Sequence, residues 1–306
     1  MREVADINAR LLVTCPLPQP EEGSKDLRGR IAIIGGSREV PGAVLLAALG
    51  AMRAGAGKLQ VMTALSCAPT IGVAMPEALV IGLPETEAGG LSCDAIGSKL
   101  DRLVATDTIL IGPGMVEERD CENALSLILS LENDAVVIVD AGALPNIMKL
   151  AHLSQRRQGN VILTPHAGEM ATLLGVSREE IEQDPLEAAR HVANELGAVV
   201  VMKGGTSFVA SPGHDWRYDG GTVGLATSGS GDVLAGIIAG LAARGTPAAD
   251  AAIWGVYLHG EAGAELSRTV GPLGFLAREI PACIPRLLVQ ASESSEAAAL
   301  PLFENA

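Results

Sequence analysis

Aromatic side chains are nearly absent: two Trp, two Tyr and three Phe make up 2% of 306 residues. The core must be built from Ala, Val, Leu and Ile. With 36 Gly alongside them, that composition predicts helices packed closely on a sheet and argues against a β-sandwich. Basic residues are also scarce, 22 Lys and Arg against 36 Asp and Glu, for a net charge of −14. Such a balance excludes nucleic acid and anionic membrane as broad partners. An anionic substrate must then be held by local amides, a few Lys and a metal ion. The five Cys are scattered, odd in number and contain no C-x-x-C, which excludes a disulfide framework and fits reduced thiols in the cytoplasm. No His, Cys or Asp spacing suggests a zinc site. A basic-then-apolar leader is missing, and no apolar run reaches membrane-spanning length without Gly and charge breaks.

A chain of this length can bury a large core. Residues 1–29 read as an N-terminal arm: Val4 to Leu12 has helical spacing, and Pro16, Pro18 and Pro20 stiffen the linker after it. Residues 30–290 read as one α/β domain. Strand-like runs are Ile31 to Ile34, Lys58 to Thr63, Ala78 to Ile81, Thr108 to Ile111, Val136 to Val139, Val161 to Leu163 and Val199 to Met202. Helical stretches separate most of them, including Ala43 to Met52, Asp94 to Leu103, Cys121 to Leu131 and Pro185 to Leu196. Continuously apolar strands are buried on both faces, which predicts a mostly parallel sheet with helices on either side. Thr206 to Ala210 and Trp216 to Tyr218 read as an antiparallel addition, and three helices follow from Asp232, Ala248 and Leu273. Residues 291–306, rich in Ser, Glu and Ala, read as a flexible tail.

The organising stretch is Gly229-Ser230-Gly231-Asp232, a glycine-rich turn that runs into the apolar helix of Val233, Leu234, Ile237, Ile238 and Leu241. The first amides of a helix lack internal partners and sit at its positive end, so Gly229, Ser230 and Gly231 form a candidate phosphate site. Asp232 beside that site could take a proton from a hydroxyl attacking the phosphate. The plainer alternative is that Asp232 only caps its helix, and on this motif alone both readings stand. Five further loops carry polar or Gly residues at strand ends: Gly35-Gly36-Ser37, Gly112-Pro113-Gly114, Asp140-Ala141-Gly142, Thr164-Pro165-His166 and Lys203-Gly204-Gly205-Thr206. In an open parallel sheet, ligands bind beyond the carboxyl ends of the strands, so these loops are expected at one edge with Asp232.

Taken together, Pro41-Gly42-Ala43, Gly112-Pro113-Gly114, Val139-Asp140-Ala141-Gly142, Thr164-Pro165-His166-Ala167-Gly168-Glu169, Lys203-Gly204 and Gly229-Ser230-Gly231-Asp232 resemble the ADP/ATP-dependent NAD(P)H-hydrate dehydratases. These are a branch of the ribokinase-like superfamily, and the resemblance runs from about Ile31 to about Leu288. It implies a three-layer sandwich with a mostly parallel central sheet. It further implies repair of hydrated NADH or NADPH, NADHX and NADPHX, in their S epimer, with ADP or ATP as co-substrate and Mg²⁺. Ala43, Gly114, His166 and Asp232 would contact the hydrated dinucleotide. Lys203, Gly204, Gly205, Thr206, Ser207 and Gly231 would contact the AMP part of the nucleotide. The chain departs from the family at Ser230, where Thr is usual, and at Thr222-Val223, where Asn is usual.

Other readings of single residues are local. His166 could cap the helix it opens, Glu169 could be a first-turn acid of that helix, and His259 reads as packing between helices. Asp140 could position either a metal or a turn. A thiamin-precursor kinase acting on a hydroxymethylpyrimidine or thiazole alcohol is the alternative enzyme, disfavoured by His166. A nucleotide sensor without turnover is disfavoured by the intact Asp232 motif. The apolar helices and Gly-rich surface suggest a homo-oligomer, with a tetramer favoured by the resemblance.

Overall fold

A computed structural model of the chain describes residues 2–19, 28–116 and 118–299. In chain order it holds strand β1 (Val4–Asp6), helix α1 (Ala9–Thr14), β2 (Arg30–Ile34), α2 (Gly42–Arg53), β3 (Lys58–Ala64), α3 (Ala68–Ala74) and β4 (Ala78–Leu83). The short helices α4 (Cys93–Gly97) and α5 (Leu100–Val104) lead to β5 (Thr108–Ile111), α6 (Glu118–Leu129) and β6 (Val136–Val139). Next come a 3₁₀ stretch (Ala141–Leu150), α7 (Ala151–Arg156), β7 (Val161–Leu163), α8 (Ala167–Leu174), α9 (Arg178–Gln183), α10 (Pro185–Leu196) and β8 (Val199–Met202). The hairpin of β9 (Ser207–Ser211) and β10 (His214–Tyr218) precedes α11 (Ser230–Ala243), α12 (Ala248–Thr269) and α13 (Ile280–Ala299).

The strands form one ten-stranded sheet in the order β1-β10-β9-β8-β7-β6-β5-β2-β3-β4. Every pairing is parallel except the two made by β9. The five strands β2, β5, β6, β7 and β8 are fully or almost fully buried along their length, as their unbroken apolar runs require. They are consecutive neighbours in the sheet, so their carboxyl ends and following loops lie side by side.

Helix α11 passes through the middle of the molecule, with every residue from Val233 to Ala243 buried. It packs on α2 with backbone nearly against backbone. A Cβ on Gly236 or Gly240 would strike the carbonyls of Ala47 and Ala51, and one on Gly50 would strike that of Val233. This contact uses Gly and Ala where a larger core would use aromatics, and it holds the start of α11 at the sheet edge.

Several expectations change. The helix expected over Asp94 to Leu103 is two short ones, α4 and α5, and the last helix, expected from Leu273, starts at Ile280 after a loop and a 3₁₀ turn. The helix expected over Val4 to Leu12 is split: Val4–Asp6 adds to the sheet as a parallel partner of β10, and Asn8 then caps α1 by accepting from the amides of Arg10 and Leu11. A three-residue strand forms because β10 offers an open edge, which no local pattern announces. The arm is also tied down further on, where Trp254 Nε1 donates to the Cys15 carbonyl at 2.7 Å and Arg244 donates to the Pro18 carbonyl at 2.9 Å. At the other end, α13 continues to Ala299, past the expected start of the tail at 291. Ala and Glu are strong helix formers, so the composition that suggested fraying also continues the helix. Residues 20–27, most of the charged stretch before Arg30, and residues 300–306 of the tail lie outside the described residues.

Candidate active site

The loops after β2 and β5 meet first. The Gly36 amide donates to the Pro113 carbonyl at 2.7 Å. A Cβ on Gly114 would lie 3.1 Å from both the Cβ of Ala43 and the Cα of Gly36. Ala43, Gly114 and Gly36 are therefore packed closely together, with Ala43 almost fully buried at the start of α2.

The loops after β6, β7 and β8 converge on a charge cluster. Asp140, at the end of β6, is buried, and its Oδ1 accepts from the Thr164 hydroxyl at 2.6 Å and from Lys203 Nζ at 3.2 Å. The same ammonium lies 3.5 Å from Glu169. The Lys203 amide donates to the Pro165 carbonyl at 2.8 Å, which fastens the end of β8 to the loop after β7. Burial alone would lower the Lys203 pKa, but Asp140, Glu169 and Asp232 around it outweigh burial and raise it. Lys203 is a cation at any neutral pH.

His166 and Glu169 form a capping box at the start of α8. His166 Nδ1 accepts from the amides of Gly168 at 3.0 Å and Glu169 at 3.1 Å, while Glu169 accepts from the His166 amide at 2.8 Å. Both local readings of this pair are observed. The ring itself is exposed, with its Nε2 3.7 Å from Glu169 Oε2, and it borders the two spaces at the end of β8.

The remaining wall is the start of α11. Gly229 occupies its N-cap position at φ +86°, a left-handed conformation that favours glycine. The Ser230 amide donates back to the Thr227 carbonyl, and the Val233 amide to that of Gly229. The amides of Gly231 and Asp232 are left at the helix opening without a carbonyl in the helical ladder. Asp232 sits in the first turn, three residues past the cap, and Gly229 makes no side-chain cap bond. The reading of Asp232 as a simple cap is thereby corrected, because glycine geometry opens this helix. Burial, and after it the charge of Asp140, push the Asp232 pKa up to about 7; Lys203 pulls it down and Glu169 adds to the rise. Asp232 is thus a carboxylate that holds a proton into the neutral range, the property of a general base working near its own pKa.

Between β8, the hairpin and α11 lies a cavity of about 750 Å³. Six of the eight residues expected to bind nucleotide line it: Lys203, Gly204, Gly205, Ser207, Ser230 and Gly231. Gly229 shapes the helix start beside it. Thr206 faces an adjoining space of about 590 Å³ that shares Lys203 and His166 with it, and its hydroxyl donates to Asp219 at 2.7 Å. Ala43 and Gly114, expected to contact the dinucleotide, line neither space; they pack against each other at the ends of β2 and β5. Sequence reasoning missed His259, which also lines the cavity and lies 3.0 Å from Ser230 Oγ. It left Asp140 and Glu169 undecided and did not single out Thr164. Among the described residues, no group of three or more His, Cys, Asp and Glu is placed to hold a metal ion, and no helix is long and apolar enough to cross a membrane.

A family model described as NAD(P)H-hydrate dehydratase matches residues 31–286. An ADP-dependent (S)-NAD(P)H-hydrate dehydratase of Xanthomonas campestris is 46% identical over 293 residues, covering 93% of this chain and 96% of that protein. The ADP/ATP-dependent NAD(P)H-hydrate dehydratase of Bacillus subtilis, solved after co-crystallisation with ATP and Mg²⁺, superposes with a TM-score of 0.79 at 31% identity over 94% of this chain and 99% of its own. A ribokinase-like superfamily protein of Enterococcus faecalis gives a TM-score of 0.81 at 26% identity, over 94% and 96% of the two chains.

Proposed function

This chain belongs to the NAD(P)H-hydrate dehydratase family, and from that premise we propose that it returns the S epimer of hydrated NADH or NADPH to the reduced dinucleotide, converting ADP to AMP and phosphate. The observation that carries the reading is Asp232: a partly buried carboxylate, with its pKa raised to about 7, at the mouth of a helix whose first amides are open to an anion. The nucleotide occupies the cavity at the end of β8, with its phosphates between Lys203 and the amides of Gly231 and Asp232. The hydrated nicotinamide ring enters from the side of Ala43 and Gly114 and passes His166 at the rim.

Hydroxide is a poor leaving group, so the ring hydroxyl must first become a phosphate ester. Asp232 accepts the hydroxyl proton as the oxygen attacks the terminal phosphorus of ADP, and AMP departs. The open amides and the Lys203 ammonium stabilise charge on the transferring phosphoryl group. The lone pair of the ring nitrogen then expels phosphate from the carbon that carried it, and the adjacent carbon releases its proton. The products are NAD(P)H, phosphate and AMP. Mg²⁺ would offset the phosphates' charge in a protein that is itself acidic.

The purified chain, given hydrated NADH, ADP and Mg²⁺, is expected to restore the absorbance of the reduced ring. No recovery with ADP or ATP, together with phosphorylation of a hydroxymethylpyrimidine or thiazole alcohol, would establish the kinase alternative instead. For the assembly, we read Leu65, Val73 and Leu79, exposed apolar residues at the β4 edge of the sheet, as part of a surface between copies, with a tetramer as the expected state. Light scattering tests this: Leu79→Glu should lower the measured mass, and a monomeric wild-type chain sinks the assignment. Cys15, Cys67, Cys121 and Cys283 are buried thiols, as suits the reducing cytoplasm in which we place the enzyme.

A further inference from the structure

Ser230 and His259 form a buried pair that the reaction scheme leaves unused. Ser230 is the first residue of α11 and is 4% exposed; His259, on α12, is 9% exposed, and both border the nucleotide cavity. His259 Nε2 lies 3.0 Å from Ser230 Oγ and 3.1 Å from the Ser230 carbonyl oxygen. A carbonyl oxygen has no proton to give, so the second contact is attractive only if Nε2 carries the hydrogen. That single N–H then also faces Oγ, which must accept from it. The hydroxyl hydrogen of Ser230 cannot point at His259 and has to be donated elsewhere. The Ser230 amide is already committed to the Thr227 carbonyl, so the hydroxyl is the one donor this residue has to offer a ligand.

We propose that His259 is a positioning residue, whose Nε2–H holds Ser230 so that its hydroxyl donates to the terminal phosphoryl group of the nucleotide in the cavity. The inference rests on the dehydratase reading for the identity of that nucleotide. Its geometry is independent of turnover. Burial drives the imidazole pKa down to about 4, and the nearby Lys203 charge lowers it further against the opposing bond to the Ser230 carbonyl. The ring therefore stays neutral through the working pH range, and one tautomer serves throughout. A hydroxyl aimed in this way adds a neutral donor beside the charged Lys203, whose Nζ lies 3.3 Å from where a Cβ on Gly231 would stand. It also gives the residue the same use whether Ser or Thr stands at this position.

Two measurements decide it. In ¹⁵N-edited spectra of the ring nitrogens, with the His259 signals assigned by their loss in His259→Gln, the wild-type ring should show the Nε2–H tautomer unchanged between about pH 5.5 and 9. An Nδ1–H tautomer overturns the proposal. In calorimetric titrations, Ser230→Ala should weaken ADP binding by about 10-fold, the size of one lost bond to a charged group, and leave AMP binding unchanged. His259→Leu should do the same, the double variant should be no weaker than Ser230→Ala alone, and His259→Gln, which keeps an N–H at similar reach, should recover most of the loss. Equal weakening of ADP and AMP, or additive losses, would mean that His259 only supports the fold. A wild-type chain that binds ADP in this manner yet recovers no reduced dinucleotide would overturn the dehydratase reading and leave the pairing intact.

Discussion

Asp232→Asn is expected to lower kcat by roughly 10²–10⁴-fold, the usual contribution of a positioned base, while ADP still binds. The variant keeps the size of the side chain and removes only its ability to take the proton. Two pH signatures separate this from a structural defect. Because the wild-type pKa is raised to about 7 by burial and by Asp140, the wild-type kcat/KM should climb with pH up to the neutral range and then level off. The residual activity of the Asn variant should lack that limb. The second signature is in stability. A carboxyl whose folded pKa lies above its ordinary value near 3.8 favours the folded state fully below that value, and this contribution is lost as pH rises through about 7. Above pH 7 the wild type must hold a buried charge that the Asn variant does not carry. The variant should therefore melt higher than wild type at about pH 8, by roughly 1–3 kcal/mol of stability relative to their difference near pH 5. Turnover within a few-fold of wild type removes Asp232 from the base role. Equal melting temperatures at both pH values remove the raised pKa.

Local chemistry made the fold legible where it was complete within a few residues. Helix α10 begins and ends as read, because Asp184 caps it by accepting from the Glu187 amide, Pro185 opens it and Gly197 closes it in a left-handed conformation. The β9–β10 hairpin follows from two alternating runs around Pro212-Gly213. The gathering of the five loops was legible too, since it depends only on a parallel sheet and on the rule that ligands lie at its carboxyl edge. What stayed hidden were pairings across long stretches of chain. Val4–Asp6 becomes a strand only through Asp215 to Arg217 on β10. Asp140 reads as either a metal ligand or a turn residue until Lys203, 63 residues away, is seen to occupy its Oδ1. His259 reads as helix packing, which it is, and nothing near it in sequence points 29 residues back to Ser230. Side-chain partners of this kind are set by how α11, α12 and the sheet stack, and a single sequence carries no local trace of that.

Lys203→Ala carries the other large effect expected, because one ammonium serves two purposes. Towards the ligand, in the proposed arrangement it meets the nucleotide phosphates, and its loss should raise the KM for ADP by roughly 10- to 100-fold, as for other bonds between charged partners, with a smaller rise for the hydrated dinucleotide. Towards the protein it is the one group among those acting on Asp232 that lowers its pKa; burial, Asp140 and Glu169 all raise it. Without Lys203 the base should hold its proton to still higher pH, so the acid limb of kcat/KM should move up from the wild-type position near 7. Asp140→Asn is the sign control: it takes away a charge that raises the Asp232 pKa, and the limb should move down. Removing Lys203 also strips buried Asp140 of its ionic partner and leaves it the Thr164 hydroxyl, so the Ala variant should lose on the order of 3 kcal/mol of stability at pH 8. Its kinetics should therefore be measured well below the melting transition. If the KM values for ADP and hydrate rise equally and the limb does not move, Lys203 is a strut between the ends of β6 and β8. If the limb moves up in one variant and down in the other, the Asp140–Lys203 pair sets the proton affinity of the base across the floor of the site.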